Sequence, residues 1–117
     1  MARVRWTRSA HRDLDASLDW LERNRGPAHA DRTAEAVIEA VARAAAHPEL
    51  HASVGTIHPV LAALPSEIRR VLTRGRPRYA VYYRHVPAAD EIRVLALGGA
   101  QLPPTSRELR RRRSTDP

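Results

Sequence analysis

The chain has 117 residues, contains no cysteine and carries a formal net charge of +7 at pH 7. This length suits one domain with a single hydrophobic core. The absence of cysteine excludes disulfide bonds, a thiolate nucleophile and cysteine-based zinc sites. No apolar run is long enough for a membrane span and the N-terminus lacks the apolar segment of a signal peptide, so we expect a cytoplasmic protein without a membrane partner.

The positive charge is concentrated in one part of the chain. Residues 1–68 contain eight arginines against nine acidic residues, whereas residues 69–117 contain twelve arginines against four. Within the second part, Arg69–Arg84 (RRVLTRGRPRYAVYYR) holds six arginines, three tyrosines and no acidic residue. Such a segment is typical of a surface that binds nucleic acid or an acidic protein. The alternative is a solvated hairpin whose arginines protect a sheet edge from aggregation.

The N-terminal residues predict a short strand followed by a helix. Alternation over Arg3–Trp6 predicts a strand that buries Val4 and Trp6 on one face. Thr7 or Ser9 can cap the helix that follows. The apolar stripe of this helix comprises Ala10, Leu14, Leu18 and Leu21.

A second helix is predicted directly after the first. Gly26 and Pro27 end the first helix, and proline is tolerated as the opening residue of the second because that N–H has no helical partner. Pro48 ends the second helix. Its apolar stripe comprises Ala30, Ala34, Val37, Ile38, Val41, Ala44 and Ala45. The tight turn between the helices predicts an antiparallel hairpin with one shared apolar side.

The second half of the chain changes to a period of two. Residues 48–66 contain three prolines and are predicted to be a connector with about one helical turn. Strands are predicted over Ile68–Thr73, Tyr79–His85 and Ile92–Leu97, and their short connections make them antiparallel neighbours. The expected fold is therefore α+β, in the order β-α-α-β-β-β, with the helical hairpin packed on a small, mainly antiparallel four-stranded sheet.

The C-terminal residues are predicted to form a separate basic tail. Arg110–Arg113 are four adjacent arginines that repel one another and lack an apolar stripe. We therefore expect a frayed or disordered end. The predicted division is a domain over residues 1–99 and a flexible tail over residues 100–117.

Several catalytic and metal-binding patterns are missing from the sequence. His47 and His51 are spaced like the zinc ligands of a helix. Pro48 lies between them and breaks the helix, so they are not expected to share a helical face and form a zinc site. No serine lies in a Gly-x-Ser-x-Gly turn and no glycine belongs to a phosphate-binding loop. The chain has no lysine that could act as a general base. Arginine cannot take this role because it stays protonated at working pH. We expect no cofactor and no metal.

Three segments in this order resemble the ParE/RelE superfamily of bacterial toxins. They are WTRSAHRDLDASLDWL, AVIEAVARAAAHP and RYAVYYRHVPAADEIRVLAL, and the resemblance covers roughly residues 3–99. Members are the toxins of type II toxin–antitoxin modules and are also known as plasmid stabilisation proteins. The resemblance implies a cognate antitoxin, acidic and partly disordered when free, that wraps the outer surface of residues 8–47 and part of the basic sheet.

The superfamily includes two activities. RelE-like members cleave messenger RNA on the ribosome, whereas ParE-like members inhibit DNA gyrase and are not enzymes. This chain has no lysine and no tyrosine after Tyr83, so the resemblance is nearer to ParE. Many relatives also carry a histidine or an arginine after the last strand, where this chain has Leu97–Gln101 and neither residue. A RelE-like endoribonuclease is the alternative, and a non-toxic basic nucleic-acid-binding module is the second alternative.

Two sets of candidate site residues follow. The residues expected to contact the target are Arg69, Arg70, Arg74, Arg76, Arg78, Tyr79, Tyr83, Arg84 and Arg93. If the chain were a ribonuclease, the catalytic candidates would be Arg69, Arg76, Arg78, Tyr83, His85 and Arg93. Arginines would stabilise the scissile phosphate, and Tyr83 or His85 would serve as the base.

Overall fold

A computed structural model describes residues 1–51, 68–75, 77–99 and 106–115. The predicted α+β class and the order β-α-α-β-β-β are confirmed, and among the described residues a further helix follows the last strand. From residue 52 onward, the predicted connector lies outside the described residues. The elements are β1 (Arg3–Trp6), α1 (Arg8–Arg25), α2 (Pro27–Ala46), β2 (Ile68–Leu72), β3 (Tyr79–Val86), β4 (Glu91–Gly99) and α3 (Ser106–Thr115).

The helical hairpin forms as its end residues predict. Thr7 caps α1, where its Oγ1 accepts a hydrogen bond of 3.2 Å from the backbone N–H of Ala10. Gly26 ends α1 with a φ of 94°, a backbone conformation that residues other than glycine rarely adopt. Pro27 then opens α2. The chain therefore reverses within one residue and α2 runs back along α1.

The described strands form a sheet in the order β1-β4-β3-β2. β1 pairs with β4 in parallel, whereas the β2–β3 and β3–β4 pairs are antiparallel. A bulge in the β3–β4 ladder pairs Tyr82 with Ala96 and Tyr83 with Val94, which leaves Leu95 as the extra residue. Leu95 and Ala96 consequently lie on the same face of the sheet.

Each face of the sheet contributes to its own buried cluster. On the face that packs against α1 and α2, here called the inner face, the sheet residues Val71, Val81 and Tyr83 pack with helix residues such as Val37 and Val41. On the outer face, Leu109 of α3 packs into a cluster whose other members are Ile68, Ala80, Tyr82, Leu95 and Ala96. Val81 and Tyr83 therefore lie on one face of β3 and Ala80 and Tyr82 on the other, as the period of two predicts for a strand.

Two predictions of buried residues were wrong. Ile38 is 66 % exposed, and Ala40 is fully buried instead. Position 38 lies at the edge of the buried stripe of α2, whose members are Ala30, Val37, Ala40, Val41, Ala44 and Ala45. Val4 is exposed because β1 is an edge strand that the helices cover only in part.

The C-terminal end also differs from the prediction, because Ser106–Thr115 form a helix. The predicted repulsion among the arginines is opposed by acidic partners from elsewhere in the fold. Arg112 contacts Asp13 of α1 at 2.6 Å, and Glu108 accepts hydrogen bonds from both Arg111 and Arg112. These carboxylates and the burial of Leu109 offset the repulsion. None of the helices in the described residues is long and apolar enough to cross a membrane.

Candidate functional site

The basic segment is divided between the two faces of the sheet. In the antiparallel β2–β3 pair, Arg69 is opposite Tyr83 and Arg70 is opposite Tyr82. Paired residues share a face, so Arg69 lies on the inner face and Arg70 on the outer face. The predicted arginines therefore do not form one continuous patch.

The turn between β2 and β3 is closed by a pair of hydrogen bonds. The backbone N–H of Thr73 donates to the carbonyl oxygen of Tyr79 at 2.9 Å, and the N–H of Tyr79 donates to the Thr73 Oγ1 at 2.8 Å. Gly75 has a φ of 90°, which suits glycine at a tight turn. The hairpin tip, residues 73–79, is thus held by a buried threonine.

The described arginines of the hairpin tip are exposed. The side chain of Arg74 is 75 % exposed and lies 3.3 Å from the Glu39 carboxylate of α2. Arg78 is exposed as well, and Tyr79 is half-buried between the tip and the sheet. Arg76 lies outside the described residues. The tip therefore presents positive charge to solvent, as the sequence predicts.

An arginine row crosses the outer face of the sheet. Arg5 of β1 is in register with Arg93 of β4, which is in register with Arg84 of β3. Arg93 donates a hydrogen bond of 2.8 Å to Glu91, and this bond lowers the pKa of the Glu91 carboxyl against the opposing effect of burial. Arg5 is not among the predicted contact residues, because only the pairing of the first strand with the last brings it beside Arg93.

Tyr83 is a buried residue that anchors the segment after α2. Its hydroxyl donates to the carbonyl oxygen of Pro48 at 2.9 Å, and the His51 ring meets the Tyr83 ring edge-on at a centroid distance of 6.4 Å. Arg69 donates to the carbonyl oxygen of His51 at 2.7 Å. Burial raises the pKa of Tyr83 to about 12, so the phenol stays neutral at physiological pH. The geometry gives Tyr83 a packing role and no exposed surface.

A cavity of about 380 Å³ lies next to this anchor, and we call it the His85 cleft. Its lining comprises Glu49, Arg69, Arg84, His85, Val86, Pro87 and Ala88. The His85 Nδ1 lies 3.4 Å from the Glu49 carboxylate, yet this buried atom makes no aligned hydrogen bond. The contact therefore becomes a full ion pair only when His85 is protonated.

Comparison with known proteins identifies the family. The model of the ParE toxin of the type II toxin–antitoxin system, parDE, matches residues 4–101. The chain belongs to this ParE toxin family. The match begins in β1 and extends beyond β4, so it includes the hairpin tip, the arginine row and the His85 cleft.

One solved structure similar to this ParE family member is described as a chromosomal ParDE toxin–antitoxin system from P. aeruginosa. It is 22 % identical, covers 85 % of this chain and 96 % of its own, and superposes with a TM-score of 0.64. At this identity the likeness shows a shared fold. A search of curated proteins returned no match.

In this ParE family member the predicted ribonuclease residues do not form one cluster. Arg69, Tyr83 and His85 lie together near the His85 cleft, Arg78 is at the hairpin tip and Arg93 is on the outer face. Within the described parts of the chain, no group of three histidine or acidic residues could hold a metal ion. The described geometry thus spreads positive charge over several surfaces instead of focusing it on one reacting atom.

Proposed function

We propose that this chain is the toxin of a type II toxin–antitoxin pair and that it inhibits DNA gyrase by binding to it. The observation that carries the proposal is the family match over residues 4–101. The site chemistry supports binding without turnover, since arginine cannot accept a proton and Tyr83 is buried with a raised pKa.

The surface proposed to contact gyrase is centred on the hairpin tip. Arg74 and Arg78 are exposed there beside Tyr79, and the chain places Arg76 between them. Three of the other predicted contact residues, Arg70, Arg84 and Arg93, lie on the outer face of the sheet and are proposed to extend this surface. Arg69 lies on the inner face and is separated from them. Arginine next to tyrosine suits an interface because both side chains combine apolar area with directed hydrogen bonds.

The proposed inhibitor of this toxin is a cognate antitoxin that binds the helical hairpin and part of the basic sheet. Trp20 of α1 and Ile38 of α2 are large apolar side chains that remain mostly exposed. Tryptophan is among the residues that most often anchor protein interfaces, so Trp20 is the proposed anchor for the antitoxin. An acidic antitoxin segment would complement the excess of arginine after residue 68.

The proposal is tested by expressing the chain in bacteria without its antitoxin. Growth arrest with a DNA-damage response and without messenger-RNA cleavage is expected, together with inhibition of supercoiling by purified gyrase. Cleavage of messenger RNA on the ribosome would instead support the RelE-like alternative, which the position of Arg69 and His85 in one cleft favours. Harmless expression of the folded chain would contradict both toxin hypotheses and leave a basic nucleic-acid-binding module.

A further inference from the structure

A narrow cleft separates α2 from the hairpin tip, and we call it the α2–tip cleft. It measures about 260 Å³, and its lining includes Arg32, Thr33 and Ala36 of α2 and Arg74, Pro77 and Tyr79 of the tip. Positions 32, 33 and 36 share one face of a helix, so α2 forms its wall of the cleft from a single stripe. Sites for drug-sized molecules measure roughly 300–1,000 Å³, so a cleft of this size suits one side chain of a partner.

The charge of the α2–tip cleft favours an anion. None of its described lining residues is acidic, and Arg32 and Arg74 lie on opposite walls. Arg74 lies 3.3 Å from the Glu39 carboxylate, but the same carboxylate also accepts a hydrogen bond from Arg43. One carboxylate is thus shared by two guanidinium groups, which leaves positive charge in excess beside the cleft.

Arg32 is the cation of the α2 wall. Its side chain is exposed, and its Nη2 lies 3.5 Å from the His29 Nδ1, which is too long for a strong hydrogen bond. The planar guanidinium has five N–H donors and matches a carboxylate in shape. A carboxylate placed between Arg32 and Arg74 would therefore gain a charged donor on each side.

The other lining groups suit a carboxylate on a short apolar stem. The Ala36 methyl group and the Pro77 ring are apolar, and Tyr79 adds a half-buried aromatic ring. Burial raises the pKa of Tyr79 against an opposing effect of Arg25, so the phenol stays neutral and does not repel an anion. The methylene groups of an acidic side chain would pack on these apolar groups while its carboxylate reaches the two arginines.

We propose that the α2–tip cleft binds a glutamate or aspartate side chain of the antitoxin, which thereby competes directly with gyrase. This inference rests on the function proposed above, in which the antitoxin binds the helical hairpin and gyrase binds the hairpin tip. Arg74 and Tyr79 belong to the proposed gyrase surface, whereas the opposite wall belongs to the helical hairpin. A carboxylate bound in the cleft contacts both walls at once, so the two partners cannot occupy the tip together.

The test uses the purified full-length chain and a synthetic peptide of alternating glutamate and alanine, followed by nuclear magnetic resonance. The peptide is expected to shift the Nε–Hε signals of Arg32 and Arg74, and its glutamine counterpart is expected to bind more weakly. Arg32→Gln and Arg74→Gln should each weaken binding of the glutamate peptide about threefold, a modest effect because both side chains are exposed to water. The control Arg12→Gln removes an equal charge from an exposed position of α1 and should leave the affinity unchanged.

A supercoiling assay separates this inference from the proposed function. If the chain inhibits gyrase, the glutamate peptide should relieve the inhibition at concentrations that saturate the cleft, and persistent inhibition would overturn the competition. If the chain does not inhibit gyrase, the function proposed above fails, and the resonance data alone decide whether the cleft binds a carboxylate. Three results would overturn the cleft itself: no shift at Arg32 and Arg74, equal weakening by Arg32→Gln and Arg12→Gln, or tighter binding of a single-stranded oligonucleotide at the same signals.

Discussion

The three tyrosines of β3 occupy three environments although they lie within five residues of one another. Tyr82 and Tyr83 are fully buried on opposite faces of the sheet, whereas Tyr79 is only half-buried. Alternation along a strand predicted the two faces correctly. It could not predict that the Tyr83 hydroxyl bonds to Pro48, because that contact joins residues 35 positions apart in the chain. The environment of each phenol decides which of them can be replaced without cost.

Removing the Tyr83 hydroxyl should destabilise the protein. The substitution Tyr83→Phe leaves the carbonyl oxygen of Pro48 without its donor, and we expect the free energy of unfolding to fall by about 1–2 kcal/mol. Urea denaturation followed by circular dichroism measures the change. The matched variant Tyr79→Phe should change stability by less than about 0.5 kcal/mol, as is usual for partly exposed positions. Equal effects would contradict the anchoring role of Tyr83.

The same residue should also make stability sensitive to alkali. Burial raises the pKa of Tyr83 from 10.0 to about 12, so the unfolded chain loses this proton at a lower pH than the folded protein. The stabilising effect is complete below pH 10 and is lost as the pH rises towards 12. We expect tyrosinate absorbance to show delayed ionisation in the folded protein and a single step near pH 10 in denaturant. Ionisation of Tyr83 near pH 10 without unfolding would contradict this prediction.

At the scale of the elements, α3 is joined to the rest of the fold by contacts from both α1 and β4. Arg112 contacts the Asp13 carboxylate and donates to the carbonyl oxygen of Leu95 at 3.1 Å. Asp13 in turn accepts a hydrogen bond of 3.1 Å from the backbone N–H of Leu97. One carboxylate therefore ties three elements together, which explains how a run of arginines can end in a packed helix.

Arg112 and its neighbour Arg111 provide a matched pair for testing this arrangement. The side chain of Arg112 is 15 % exposed, whereas that of Arg111 is 64 % exposed and has Glu108 as its acidic partner. Arg112→Gln should lower the free energy of unfolding by about 2–3 kcal/mol, because a largely buried ion pair loses one member. Arg111→Gln should cost less than about 0.5 kcal/mol. Chemical denaturation distinguishes the two, and an Arg112→Gln effect as small as that of Arg111→Gln would contradict a stabilising role for the Arg112–Asp13 ion pair.

The elements themselves were more predictable than their pairing. Local signals located the helical hairpin, namely the Thr7 cap and the Gly26–Pro27 turn, and a period of two located the three later strands. No local signal states that β1 pairs with β4, since this contact depends on the path of the whole chain. The arginine row was consequently recognised in part, with Arg5 missed, and α3 was missed because its main partner, Asp13, is about a hundred residues earlier in the sequence.

At the scale of the whole molecule, the excess of arginine after residue 68 is shared between the sheet with its hairpin tip and α3, whereas the helical hairpin has no such excess. The helical hairpin contributes nearly balanced charge, so a partner that approaches the sheet side meets a different electrostatic field from one that approaches the helices. Under the proposed function, this asymmetry would offer a basic surface to the target, and the exposed apolar side chains of the helical hairpin would face the antitoxin. Both proposed interactions can then be altered separately by substitution.

Charge reversal at the hairpin tip should abolish toxicity and leave the fold intact. Arg78 is exposed and Arg76 lies two positions before it in the sequence, so Arg76→Glu with Arg78→Glu replaces two cations by two anions. If each lost contact is worth about 1.5 kcal/mol, binding to gyrase should weaken by roughly two orders of magnitude.

The matched control, Arg12→Glu with Arg23→Glu, makes the same change in net charge on exposed positions of α1 and should remain toxic. Growth on induction and inhibition of supercoiling measure both pairs. Retained toxicity of the folded hairpin variant would place the gyrase-binding surface elsewhere on the sheet, and equal loss in both variants would mean that net charge, not the hairpin tip, governs the interaction.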